Sequence, residues 1–358
     1  MVVAGCSFQV IPAETGGDGG GGVPLKKRIA IDPARVTGAQ AGFPVWIALD
    51  DPDLARGATE GGEDIHFTGE GGMALPHEIQ RWDRATGRLE AWVRADLADD
   101  VQTVLELRYG DSRAAVAPDP AAVFASPFAA VWHLDDRLDT MAIADARGER
   151  AGTALGGLSP SQQVAAQLGG GIDFDGIAAR IEFMNPFVGN SPHTISAWVR
   201  QRTATGCDSV VTVGNPTGGK SRLLYGHFTF NAINGVHAGF YANDWSPPGL
   251  GIQNTGWVLL HWVYQGGGAR QSRIYLNGAE MGSHAYSGGI STEGTGGHLG
   301  YAPPQWNPDG TNPCALNGVL DEVRLATAVR DAGWIATEHA NQASPQTFYT
   351  VGLEEPVR

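Results

Sequence analysis

The chain has 358 residues, 42% of them hydrophobic and 17% charged, so it can bury real cores and is not a disordered polyelectrolyte. Its 51 glycines and 21 prolines, about a fifth of the residues, favour turns and short strands and exclude a coiled coil or helical bundle. With 24 basic against 38 acidic residues the net charge is −14, and no segregated basic patch offsets it, which argues against nucleic acid or an anionic membrane surface as partner.

The first cysteine stands in Val3-Ala4-Gly5-Cys6, which resembles the lipobox closing a bacterial lipoprotein signal peptide and implies a lipid on Cys6. Only five residues precede it, fewer than the charged and apolar regions of such a signal need, so the start lies inside a longer reading frame or the match is accidental. The Gly/Asp-rich tract from Gly16 to Gly22 reads as a flexible tether, making 1–24 one segment. No stretch reaches the roughly 18 apolar residues of a spanning helix, so membrane contact is expected only through Cys6. With Cys6 lipidated, Cys207 and Cys314 are left either as a disulfide in an oxidising compartment or as two unpaired buried thiols.

Residues 25–115 read as short strands between Gly/Asp/Pro turns: Phe43 to Leu49, Asp64 to Phe67, Glu78 to Trp82, Leu89 to Arg94 and Val104 to Tyr109. That spacing predicts a small antiparallel β-sandwich. Its FPV strand, GxDIxF turn, LPxEIxxWD segment, xAWVR strand and closing YG resemble a bacterial domain of unknown function that precedes lectin-like domains in surface proteins. The resemblance implies no catalytic residue. Ala/Pro-rich 116–127, with Pro118, Pro120 and Pro127, reads as a linker.

A second all-β pattern follows, with strands predicted at Val131 to Leu134, Ile172 to Asp175, Arg180 to Phe183, Thr194 to Arg200, Ser209 to Val213, Gly256 to Tyr264, Arg273 to Leu276 and Asn317 to Leu325. In Thr194 to Arg200, Ile195, Ala197 and Val199 share one face while Thr194, Ser196, Trp198 and Arg200 share the other, which predicts a sheet with two distinct faces. The FDG turn at Phe174 to Gly176, the TISAWVR strand, Gly256-Trp257, the YLNG hairpin at Tyr275 to Gly278 and the GxLDEVR strand resemble the laminin-G-like, concanavalin A-like jelly-roll family across 128–353. Asp331 is placed to cap a short C-terminal helix containing Trp334 and Ile335.

The most tempting chemical motif is Gly214-Asn-Pro-Thr-Gly-Gly-Lys220-Ser221, a GxxxxGK[ST] string. A phosphate-binding loop needs a helix directly after the Lys-Ser, and β-like alternation follows instead, so it reads as a hairpin loop. Glucanases of the jelly-roll shape carry paired carboxylates as ExDxxE on one strand, and that string does not occur. No HExxH, GxSxG or CxxC is present and the ten histidines are scattered, so the reading is of a protein that is not an enzyme, with glycoside hydrolysis the weakest alternative. The family resemblance implies at most one structural Ca2+, on Asp145 and Asp321, against an Asx turn and a strand-end hydrogen bond at those positions.

Two loops carry aromatic residues that packing alone does not demand: Tyr241, Asn243, Asp244 and Trp245 in one, Tyr301, Trp306, Asn307 and Asp309 in the other. Aromatic faces cover the C–H side of a sugar, and amides and carboxylates exchange hydrogen bonds with its hydroxyls. The expectation is an exported cell-surface or outer-membrane lipoprotein, otherwise secreted or periplasmic, whose jelly roll binds glycan or another extracellular partner without catalysis. The alternative is a structural or protein-adhesion subunit of an envelope assembly, in which the loop tryptophans are buried.

Overall fold

The computed structural model describes residues 23–357 apart from 112, 114–115, 203–205, 231–232 and 308. The lipobox-like start and its Cys6 lie outside the described residues. The fold is all-β, its strands paired in antiparallel sheets with short helices between them.

The N-terminal sandwich pairs two small sheets. One runs in the order Tyr349–Val351, Leu25–Ile31, Thr103–Tyr109, His66–Gly69, and the other in the order Gln40–Asp50, Arg88–Leu97, His77–Asp83. Ile29, Ile31, Leu105 and Phe67 share their core with Val45, Ile47, Ala91 and Val93. The C-terminal tail closes this sandwich: Tyr349–Val351 and Glu355–Pro356 both pair with Leu25–Ile31, the first described strand. A segment that the family resemblance counted with the jelly roll up to residue 353 thus completes the sheet of the small domain.

Residues from Phe128 to Ala326 form the jelly roll, one eight-stranded and one seven-stranded sheet. Strand His193–Gln201 shows how the alternation works: Ile195, Ala197 and Val199 enter the core between the sheets, and Trp198 lies on the opposite face. That opposite face is covered too. Helix Ala332–Ala343 begins where Asp331 accepts the Trp334 N–H at 2.8 Å, and it buries Trp334 and Ile335. Its Gln342 accepts the Trp198 indole N–H at 2.7 Å, and its Asn341 bonds both backbone groups of Trp46 in the small sandwich.

The stretch 116–127 is packed: Asp119 caps a turn of helix at Pro120–Val123, and Val123 and Phe124 are buried. Below it the two domains meet through charge. His133 of the jelly roll donates to Glu322 at 2.6 Å and to Glu78 of the small sandwich at 3.1 Å. Arg324 pairs with Glu322 and Glu338, both at 2.8 Å, and lies 4.4 Å over the Trp92 ring, while His261 meets Glu338 at 2.9 Å.

Candidate ligand-binding face

The seven-stranded sheet runs in the order Ile233–Gly239, Ser221–Phe230, Cys207–Gly214, Gly296–Leu299, Arg180–Met184, Gly152–Leu155, Ala142–Ile143. Its inner face is core. Across the middle of its outer face lies the segment from Tyr301 to Cys314, folded back as a two-stranded ribbon and tied down by the Cys207–Cys314 disulfide, whose Cα atoms are 4.9 Å apart. Thr212 beneath it donates to the Tyr301 carbonyl at 2.6 Å.

On one flank of this roof the register places Thr153, Glu182 and His298 side by side on neighbouring strands, so all three point outward. Arg180, on the same face as Glu182, pairs with it at 2.9 Å and stands 5.3 Å over the half-exposed Tyr301 ring. His298 also approaches that ring, at 5.9 Å, and burial lowers its pKa although Glu182 opposes the shift. Aromatic face, cation, carboxylate and imidazole therefore lie on one open stretch of sheet.

On the other flank Tyr225 and His237 stand on adjacent strands with ring centres 5.7 Å apart, and Trp306 and Tyr241 pack around them. Burial keeps His237 neutral, its pKa pushed down to about 3, and raises the carboxyl of Asp244, whose Oδ1 lies 3.5 Å from Nε2. Ser246 Oγ is 3.4 Å from the other ring nitrogen. The trio has the residue types of a hydrolytic triad, and burial disfavours the charged imidazole that a general base there would have to become. The Tyr225 hydroxyl and His237 Nε2 are buried without a hydrogen-bond partner among the described residues.

The two aromatic loops predicted from sequence therefore converge only in part. Tyr241, Asp244 and Trp306 meet around Tyr225, and Tyr301 lies on the opposite flank. Trp306 is only 5% exposed and packs over Cys207 and Leu223. Trp245 turns away to stack on His284 at 5.7 Å against the main core. Asn243 closes a tight turn onto Phe240, and Asn307 and Asp309 accept backbone N–H groups within their own loop. Arg180, Glu182, His298, Tyr225 and His237 went unnoticed in the sequence. The Arg180-Ile-Glu-Phe183 alternation did mark two outward polar positions.

Asp145 accepts four backbone N–H groups, from Val131, Arg147, Glu149 and Arg150. Asp321 is buried, accepts the Leu168 N–H at 2.8 Å, and has its pKa raised strongly by burial and by neighbouring Glu322. Both oxygens of Asp145 are therefore spent on backbone N–H groups, as in the Asx turn, while Asp321 keeps Oδ1 without a hydrogen-bond partner among the described residues. The GxxxxGK[ST] string turns between two antiparallel strands, with Lys220 paired to Glu293 at 2.8 Å.

Two large antiparallel sheets packed face to face define a concanavalin A-like jelly roll. Residues 175–336 match the family model of the concanavalin A-like lectin/glucanases superfamily, Laminin_G_3, and residues 61–139 match a domain of unknown function, DUF2341. No curated protein sequence matches the chain significantly. Among solved structures it is similar to domain 4 of AbnA, a GH43 extracellular arabinanase from Geobacillus stearothermophilus in complex with arabinotriose, at 15% identity and a TM-score of 0.44 over 60% of this chain and 98% of that one. It is also similar to the CBM40 of Ruminococcus gnavus IT-sialidase bound to α2,3-sialyllactose, at 13% identity and a TM-score of 0.33 over 42% and 84% of the two chains. Trypanosoma rangeli sialidase in complex with sialic acid matches at 10% identity and a TM-score of 0.42 over 77% of this chain, which spans 45% of the sialidase.

Proposed function

We propose that the protein is a non-catalytic cell-surface or exported binding protein whose jelly roll holds an extracellular glycan on the outer face of the seven-stranded sheet. The observation that carries this reading is the outward row Thr153, Glu182, His298 beside Tyr301 and Arg180, an aromatic platform with donors and acceptors at fixed spacing. The concanavalin A-like family match and the disulfide, which suits an oxidising compartment, support it. No helix among the described residues is long and apolar enough to cross a membrane, and a lipid on Cys6 is the anchor we propose. One observation favours protein adhesion instead: Trp245 and Trp306 are both occupied in packing, so sugar stacking falls to Tyr301 and Tyr241.

Binding of the whole chain to a broad glycan array tests the two readings. Tyr301→Ala and Glu182→Gln are expected to lose about tenfold in affinity, roughly 1.4 kcal/mol, while Glu182→Gln changes stability by less than about 0.5 kcal/mol as a surface substitution and Tyr301→Ala, which loses contacts to Arg180 and His298, by about 1 kcal/mol. Glycan binding indifferent to both substitutions would remove the site from this face, and no binding at all would leave the adhesion reading.

A further inference from the structure

A cavity that the jelly-roll face does not use opens at the edge of the small sandwich. It measures about 650 Å3, within the range of small-molecule sites, and is walled by the loop from Gly61 to Ile65, by Ile79, Arg81 and Trp82 of strand His77–Asp83, and by Pro118. A second chamber of about 170 Å3 shares Ile79 and Gln80 with it and continues to the jelly-roll residues Asp135 and Asp136. The GxDIxF and LPxEIxxWD segments of the small domain thus converge on one cavity, and the jelly-roll face uses neither.

The walls are prepared for a ligand with a flat apolar side and a polar rim. The Trp82 indole donates to the Thr59 carbonyl at 3.2 Å, which fixes the ring. Gly62, at φ +74°, packs so close that an added Cβ would come within 2.7 Å of that ring, so only glycine keeps the loop slim here. Glu63 accepts the Thr59 hydroxyl at 2.8 Å, and its own backbone N–H together with this bond holds its carboxyl below the ordinary range, an anchored acceptor. Arg81 is exposed and has no ion-pair partner among the described residues, in a chain with 38 acids against 24 bases. Deeper in, Gln80 donates to Asp135 at 2.8 Å while accepting the Trp92 indole N–H at 3.0 Å, and burial raises the carboxyls of Asp135 and Asp136.

We infer that this cavity is a second carbohydrate site, with a pyranose ring of an oligosaccharide laid on Trp82 and its hydroxyls shared between Glu63 and Arg81. An aromatic face takes the C–H side of the ring, and adjacent hydroxyls need one acceptor and one donor within reach of each other. A peptide added to the free edge of strand His77–Asp83 is the competing occupant. The register shift between Ile79 and Arg81 breaks the regular ladder that such an added strand requires. The inference is independent of the jelly-roll face, since the two sites share no residue.

The test is an array of plant, bacterial and animal glycans probed with the whole chain and with Trp82→Ala, Arg81→Ala and Tyr301→Ala, each checked by its thermal melt. The expected result is at least one glycan whose binding falls tenfold or more in Trp82→Ala and several-fold in Arg81→Ala while Tyr301→Ala leaves it unchanged. Arg81 is a surface residue, so its variant keeps the test open if Trp82→Ala does not fold. Glycans lost only in Tyr301→Ala would support the jelly-roll site and overturn this one. Retention of no glycan, or capture of peptides that requires the His77–Asp83 edge, would overturn it as well.

Discussion

The two outer faces of the jelly roll are built from the same alternation and put to opposite use. On the eight-stranded sheet the outward residues are enclosed by the small sandwich and the C-terminal helix, and the charges run in a closed chain from Glu78 through His133, Glu322, Arg324 and Glu338 to His261. On the seven-stranded sheet Glu182 and Arg180 pair at the surface, and His298 beside them is only partly covered. Desolvated charges are tolerated only where geometry supplies their partners. The first face therefore holds the domains together, and the second leaves charged side chains at the surface.

The largest effect is expected from breaking the closed face. Arg324→Met would leave Glu322 and Glu338 buried without their shared cation and remove the contact over Trp92, at a cost of about 3–5 kcal/mol in denaturant unfolding. The same face sets an acid limit. Burial alone would raise the Glu338 pKa, yet His261, Arg324 and Arg330 hold it down to about 2. A carboxylate depressed on folding contributes stability above its unfolded pKa of about 4.3 and loses it as pH falls towards the folded value. Stability should therefore decline between about pH 4.5 and 2, and Glu338→Gln should flatten that decline. An unchanged acid limb in the variant would show that Glu338 is not the group responsible.

A smaller effect is expected on the open face, where a covalent link replaces ion pairs. The Cys207–Cys314 bridge closes a separation of 107 residues and holds the roof over strand Cys207–Gly214. Replacing both cysteines by alanine should cost about 2–4 kcal/mol in denaturant unfolding, the usual range for a disulfide and below the roughly 4.7 kcal/mol that chain entropy alone assigns to a loop of this length, and it should weaken glycan binding because Tyr301 rides on the freed segment. Unaltered stability would mean that packing of Trp306 over Leu223 alone keeps the roof in place.

These differences were unevenly legible in the sequence. The period-2 pattern at Thr194 to Arg200 was enough to send Ile195 inward and Trp198 outward, because a pleated strand leaves no other choice. Asp331 as a helix cap, the hairpin nature of Gly214 to Ser221 and the presence of two aromatic loops were legible for the same local reasons. The row of Glu182 and His298 was not: the two residues are far apart in the chain and become neighbours only through sheet register. Nor could local pattern show that Trp245 closes the gap towards His284 from the other sheet, or that Tyr349–Val351 returns to pair with Leu25–Ile31. Each depends on which edges meet. The cavity under Trp82 was hidden for a further reason, since Gly61, Gly62 and Pro118 read as ordinary turn and linker residues.

The smallest predicted effect concerns Asp208, enclosed like the residues of the closed face but lacking a cation. It follows Cys207 and accepts hydrogen bonds from Gln201 Nε2 at 2.7 Å and from the Asn317 N–H at 3.1 Å. Burial pushes its pKa up to about 6, the two hydrogen bonds offsetting only part of the rise. Between its unfolded value near 3.9 and this folded value the native state binds the extra proton, so stability falls as pH rises through that window and the penalty is complete above about 6. Asp208→Asn removes the titration, because Asn can still accept from Asn317 while Gln201 turns its amide. Melting curves at pH 5 and pH 8 should therefore differ less in the variant than in the parent, by the equivalent of about 1.4 kcal/mol. An identical difference in the two proteins would mean that Asp208 is ionised at little cost, and that the gap between the two sheets, where Gln201 and Asn317 of the eight-stranded sheet reach it, tolerates an enclosed carboxylate with two neutral donors as well as the closed face does with Arg324.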